Sequence, residues 1–276
     1  MIMFTSLTNK MKAISFTVIV LVLASVFGIF KVRAEIYMFV PVITVFIMFF
    51  IVTRDGYRKI SWGSLGLHRT GKKIWLFAFF VPFTCLVVSY VLLWMTPVAS
   101  FVISKDATVG VWLMMPVKIL LVLFFYTITS SLGEELGWRG YLLPILLDMG
   151  WKKAIVLTGF IHGIFHVPIM LNGLYHPEGN ALITYPLLVL TTTLGGILFG
   201  YVTIKTRSIW PAAIMHAAHN VFWAALSEFS KIHSEVGYYL GGESGVFMVI
   251  LYGAVAVWIL KKGNIDAYLT DNKSVA

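Results

Sequence analysis

The sequence predicts an all-α polytopic membrane protein, a bundle of about eight transmembrane helices with both termini cytosolic. Three observations predict it. The 276 residues are 59% hydrophobic and 12% charged, with a mean hydropathy of +0.89; a soluble domain carries about 25% charged residues. The apolar residues gather into eight runs, close to the roughly 20 residues that a bilayer core requires of a helix. The Lys and Arg residues divide unevenly between the loops that join those runs. A formal charge of +9 could indicate nucleic acid, but the basic residues sit in short loops, where they orient helices. No nucleic-acid partner is expected.

The runs span residues 13–30, 36–52, 74–95, 111–131, 154–171, 181–204, 209–226 and 245–260. Lys10 and Lys12 precede the first, as in a signal peptide, but Lys31, Val32 and Arg33 follow it instead of a small-residue cleavage site. A retained helix is expected. The second run leads into residues 54–73, which hold six Lys and Arg. The third contains Cys85, the single cysteine, a small core hydrophobe that leaves no partner for an intrachain disulfide. The fourth encloses Lys118 and the fifth Pro168, which should bend it beyond His166 and leave a carbonyl seeking a partner. The eighth is the shortest. Trp75, Trp94, Trp112, Trp210 and Trp258 flank run ends as an aromatic belt would.

Eight helices place 16 of the 21 Lys and Arg on the cytosolic side. Lys31, Arg33, Lys105 and Lys231 fall opposite, and omitting one helix would scramble this alternation. Residues 173–180 and 227–244 read as external loops, and the tail from Gly263 as mobile. With no repeat or linker, residues 1–276 form a single transmembrane domain. Gly159-xxx-Gly163 and Gly196-xxx-Gly200 would let helices approach closely.

Three polar clusters interrupt this apolar chain. Glu134 and Glu135 open the run Glu-Glu-Leu-Gly-Trp-Arg-Gly140. Ionisable groups near a bilayer are costly, which favours a functional reading. Glu135 and Arg139, four apart, share a helix face and can pair. Glu134 points about 100° away and is free to face a site. His162 and His166 share a face, as do His216 and Asn220, with His219 close by. Imidazole and amide groups that converge can stabilise a developing oxyanion. The clusters point to a hydrolytic site inside a membrane bundle. Depth sets a constraint: on a continuous fourth helix from Val111, Glu134 lies about 35 Å along the axis, past the hydrocarbon core. Snorkelling of Lys118 would relieve this, so the acidic pair is expected within the membrane, in a cavity open to the cytosol.

Glu-Glu-x-x-x-Arg, then an aromatic-rich helix ending in His, then His-x-x-x-Asn resembles the CAAX protease and bacteriocin-processing family. That family includes type II prenyl-protein endopeptidases and bacteriocin self-immunity proteins. The motifs lie between about Ser130 and Phe222, within an expected catalytic core of about 111–226. The resemblance implies an intramembrane endopeptidase in which Glu134, with His166, activates water. It implies that His216 and Asn220 stabilise the oxyanion while Glu135 and Arg139 give structural support. His162 departs from the pattern, occupying a position that is usually aromatic, and His219 is no motif position; both are read as supporting.

No covalent nucleophile is required. No Gly-x-Ser-Gly surrounds Ser130 and Ser131, and neither Gly-x-Gly-Asp nor His-Glu-x-x-His occurs. No cofactor is expected; if zinc were held, Glu134, His166 and His216 would be its ligands. The expected partners are lipid and a peptide or protein substrate at the membrane: a prenylated tail, a bacteriocin-related peptide or a membrane-protein segment. The expected location is a bacterial plasma membrane, with the site facing the cytosol. The alternative is a non-catalytic immunity protein that binds a bacteriocin. A transporter would carry two related halves, and none is seen.

Overall fold

The computed structural model describes residues 7–103, 108–176, 178–263 and 265. Lys105 and the tail beyond residue 265 lie outside the described residues. The chain is an α-helical membrane bundle. Six described stretches are long and apolar enough to cross a bilayer. α1 (Asn9–Ile29) is capped by Thr8, whose hydroxyl accepts from the Met11 amide at 3.3 Å. α2 (Ala34–Tyr37) and α3 (Val40–Ile47) continue through a π turn, Met48–Val52, as one apolar stretch. The short α4 (Lys59–Gly63) precedes α5 (Trp75–Trp94), which leads to β1 (Ala99–Phe101).

α6 (Val109–Ile128) lies on the outside of the bundle, with Thr127 its one buried residue. Trp112 stacks on Phe229 at 5.7 Å. The fourth expected helix does not continue to residue 131. Thr129 has φ −117° and ψ −102°, outside helical geometry, and the chain restarts as α7 (Ser130–Glu135). A π segment (Leu136–Leu142) and α8 (Leu143–Leu146) follow. α9 (Trp151–Leu171) and α10 (Ala181–Thr206) meet through their glycines. A Cβ on Gly159 would lie 2.6 Å from the Thr193 carbonyl oxygen, and one on Gly196 only 2.4 Å from the Gly159 Cα. The two small-xxx-small motifs are therefore the contact. α9 stays helical through Pro168; in the preceding turn the Phe165 carbonyl accepts from the Tyr37 hydroxyl.

α11 (Trp210–Glu228) and α13 (Val246–Lys262) are the seventh and eighth expected segments. Both are helical but fall outside the six spans: α11 is diluted by His216, His219 and Asn220, and α13 has 17 residues. Residues 227–244 are not all loop. β2 (Ser230–Ile232) pairs antiparallel with β1, Ala99 opposite Ile232, and α12 (Glu235–Leu240) follows.

The bundle has two chemically different ends. Asn9 bonds Asp148 at 2.8 Å, Trp210 bonds the Leu67 carbonyl at 2.9 Å, and Lys205 bonds Tyr201 beside the end of α13. That end gathers fourteen of the 19 Lys and Arg among the described residues. The opposite end joins the close of α1 to that of α9, through Gly28 against Pro168, and carries the β1–β2 ribbon. Its described Lys and Arg are Lys31, Arg33 and Lys231, beside the acids Glu35, Glu178, Glu228, Glu235 and Glu243.

Candidate active site

The break at Thr129 decides where the carboxylates point. It turns the chain into the bundle beside α3, where Gly133 packs against Phe39 and Gly137 against Pro41. Glu134 and Glu135 are 2% and 0% exposed. A helix break, rather than a shift of Lys118, turns the carboxylates into the protein interior; Lys118 is exposed on α6.

Glu135 and Arg139, one turn apart, are fully buried with Nη1 to Oε1 at 3.1 Å. The guanidinium also lies over the Phe199 ring, 5.0 Å from its centroid. The same Glu135 oxygen is 2.9 Å from His216 Nδ1. Arg139 Nη1 reaches His162 Nδ1 at 3.3 Å, and His162 Nε2 is 2.9 Å from Glu134 Oε2. His216 Nε2 closes the ring 3.7 Å from Glu134 Oε1. Stacking holds the imidazoles in place: Trp138 lies on His162 at 5.0 Å and Phe199 on His216 at 5.5 Å.

The partners fix the tautomers. Arginine only donates, so His162 Nδ1 must accept and its Nε2–H donates to Glu134 Oε2. His216 donates from Nδ1 to Glu135, so its Nε2 donates only in the imidazolium form. His166 Nδ1 donates to the His162 carbonyl at 3.0 Å, leaving the Nε2 lone pair free.

Glu134 Oε1 has no hydrogen bond among the described residues; its nearest basic nitrogen is the one at 3.7 Å. Glu134, His166, His216 and Asn220 line one cavity of about 460 Å³. The structure therefore brings the four expected residues to one space. It also makes His162 the direct partner of Glu134, a role that sequence spacing had not separated from filling an aromatic slot. His219 turns away toward Tyr252 (2.8 Å) and Glu243 (3.4 Å). The cavity extends past Met38 and Phe39 to Ala34 and Glu35, at the Lys/Arg-poor end. A mouth on the basic side was expected; the inward turn at Thr129 directs the carboxylates the other way.

Among the described residues, Glu134, His162 and His166 are the ligand-type trio within 4.8 Å of one another. His216, one of the expected zinc ligands, is not in it. The trio does not suit a metal as it stands. A His162 bound through Nε2 would carry its proton on Nδ1, donor against donor with Arg139.

A second polar cluster lies beside the first. Glu243, 4% exposed, accepts from the Tyr175 hydroxyl and from His176, and its other oxygen faces His219. Tyr175 stacks on His166 at 5.6 Å. Burial works against the Glu243 charge, but His176 and then His219 outweigh it and hold the carboxyl below its usual range. Burial likewise opposes a charged His176, and Glu243 reverses that, raising it above 6.5. Tyr175, His176 and Glu243 lie in segments that read as external loops in the sequence. The available signal was Glu243 itself, an acid set in Gly-Gly-Glu-Ser-Gly in an acid-poor chain.

Fold and site define an integral membrane protein with a carboxylate–imidazole centre buried between helices. Residues 116–222 match the family model for type II CAAX prenyl endopeptidase Rce1-like proteins, a stretch that holds every residue of the first cluster. Over that stretch the chain is similar to the CAAX-type proteases, the family its motifs resemble. No curated protein matches the chain.

Proposed function

We propose that the protein is an endopeptidase of a bacterial plasma membrane that hydrolyses a peptide bond with water activated by Glu134. The observation that carries this is the asymmetry of that carboxylate. Oε2 is held by His162, while Oε1 faces a cavity shared with His166, His216 and Asn220. In this scheme Glu134 Oε1 takes a proton from water as the water oxygen attacks the scissile carbonyl, with the His166 Nε2 lone pair accepting the other water hydrogen. Negative charge grows on the carbonyl oxygen, where the Asn220 amide and protonated His216 donate to it. Glu134 then returns its proton to the departing amine, and the C–N bond breaks. Glu135 and Arg139 hold His216 and His162 in register. Each step uses side chains alone, and no metal is invoked.

The substrate is a peptide or protein segment at the membrane; a prenylated tail, a bacteriocin-related peptide and a membrane-protein segment are the candidate classes. Cleavage profiling of such peptides by the purified protein, against Glu134→Gln, tests the reading. Loss of cleavage in a folded, inserted variant supports it. Full immunity or full function in Glu134→Gln would instead favour a binding protein.

A further inference from the structure

The cavity at Glu134 has a direction, and the charge on the two ends of the bundle gives that direction a side of the membrane. Its lining runs from Glu134 past Phe39 and Tyr126 to Ala34 and Glu35. Glu35 is exposed, paired with Arg33 at 3.2 Å, and stands just before the second span, next to the loop that closes α1. Tyr175, in the loop after α9, lines the same space. Every one of these rim residues belongs to the end with three described Lys and Arg and five acids. The other end carries fourteen Lys and Arg against Asp55 and Asp148. Short loops rich in Lys and Arg stay in the cytosol, and acidic residues count little in this rule.

We infer that the cavity opens on the non-cytoplasmic face of the membrane and takes its substrate from that side. The occupant is a largely apolar peptide segment exposed outside the cytosol or dipping into the bilayer from there. The walls match such a segment: Met38, Phe39, Phe125, Tyr126 and Trp223 line the route, with polar groups confined mainly to the reacting end and the rim. On the basic side a separate cavity of about 260 Å³ is lined by Leu65, Arg139 and Leu143 but by neither glutamate. The substrate half of this inference rests on the protease reading; the topological half does not.

The test uses the full chain in intact cells. Cys85 is the sole cysteine and is buried, so Cys85→Ser gives a background for single probes. Glu35→Cys and Lys59→Cys, both at exposed positions near opposite ends, are treated with a membrane-impermeant maleimide. The expected result is labelling of Glu35→Cys in intact cells, and loss of Lys59→Cys labelling unless the cells are lysed. Labelling of Lys59→Cys from outside, or equal labelling of both, overturns the inference. A reporter fused at residue 262, active only in the cytosol, provides a reading that no single cysteine variant can spoil; it should be active. A second arm places Met38→Cys in the same background and measures cleavage of a presented peptide before and after the impermeant reagent. External block of cleavage supports access from that face, and unchanged cleavage of a fully labelled protein overturns it. If the topology holds while Glu134→Gln still cleaves, the protease reading fails and the orientation stands.

Discussion

Two buried glutamates in this protein have nearly the same company and opposite prospects. Glu134 and Glu243 each face two imidazoles, and each is at most 4% exposed. Glu243 spends both oxygens, on Tyr175 and His176 at one and His219 at the other. It ties the loop after α9 to α11 and to the start of α13. Glu134 spends one oxygen on His162 and turns the other to open space. A buried carboxylate with both oxygens engaged is a staple; one with an oxygen facing a cavity can move a proton. Each carboxylate faces two imidazoles, and what separates them is the oxygen left over.

The sharpest way to break this comparison is to neutralise each carboxylate in turn. Glu134→Gln keeps the hydrogen bond from His162 but removes the base, and peptide cleavage should fall about 10²–10⁴-fold with unfolding unchanged. Glu243→Gln should do the reverse, costing about 1–3 kcal/mol of stability through its unsatisfied partners. Cleavage should stay far closer to wild type than in Glu134→Gln. Equal loss of turnover in both variants would erase the distinction. Before that smaller effect comes Arg139→Met, which strands Glu135 in the bundle. It should cost about 3–5 kcal/mol, read by denaturant unfolding in detergent.

His162→Phe sharpens the comparison from within the first cluster. It restores the aromatic type usual at this motif position while freeing Glu134 Oε2. Losing a hydrogen bond to a charged group removes about 1.5–3 kcal/mol. The cleavage rate should drop about ten- to a hundredfold, with the pH–rate profile shifted and stability lowered by about 1–3 kcal/mol. An unchanged profile would reduce His162 to packing.

The smallest effect is in the pH dependence of stability. The His176 pKa is raised by Glu243, so its contribution is complete below about 6.5 and is lost as pH rises through the higher folded value. Glu243 is depressed, so its share is present above the ordinary carboxylate range and lost in acid. Thermal stability in detergent should therefore decline from neutral toward alkaline pH, and Glu243→Gln should flatten that slope. A slope that persists in Glu243→Gln would place its origin elsewhere.

Much of this was readable in the chain. The apolar runs are helical, six of the described stretches being long and apolar enough to cross a bilayer, because backbone polar groups in lipid leave helix as the local solution. The paired glycines of α9 and α10 announced a close crossing, and the Glu135–Arg139 pair needed only helical spacing. What spacing could not supply was the break at Thr129, where no Pro or Gly marks the turn. Nor could it show that His162 reaches Glu134 across 28 positions, or that Glu243 gathers three partners from loop and helix. Within one helix, geometry is fixed by sequence interval and local hydrogen bonding. Between helices, it depends on how whole surfaces pack. The sequence by itself determined a membrane bundle and the residues able to do chemistry. The tertiary structure alone decided which carboxylate keeps a free oxygen and toward which end of the bundle it looks.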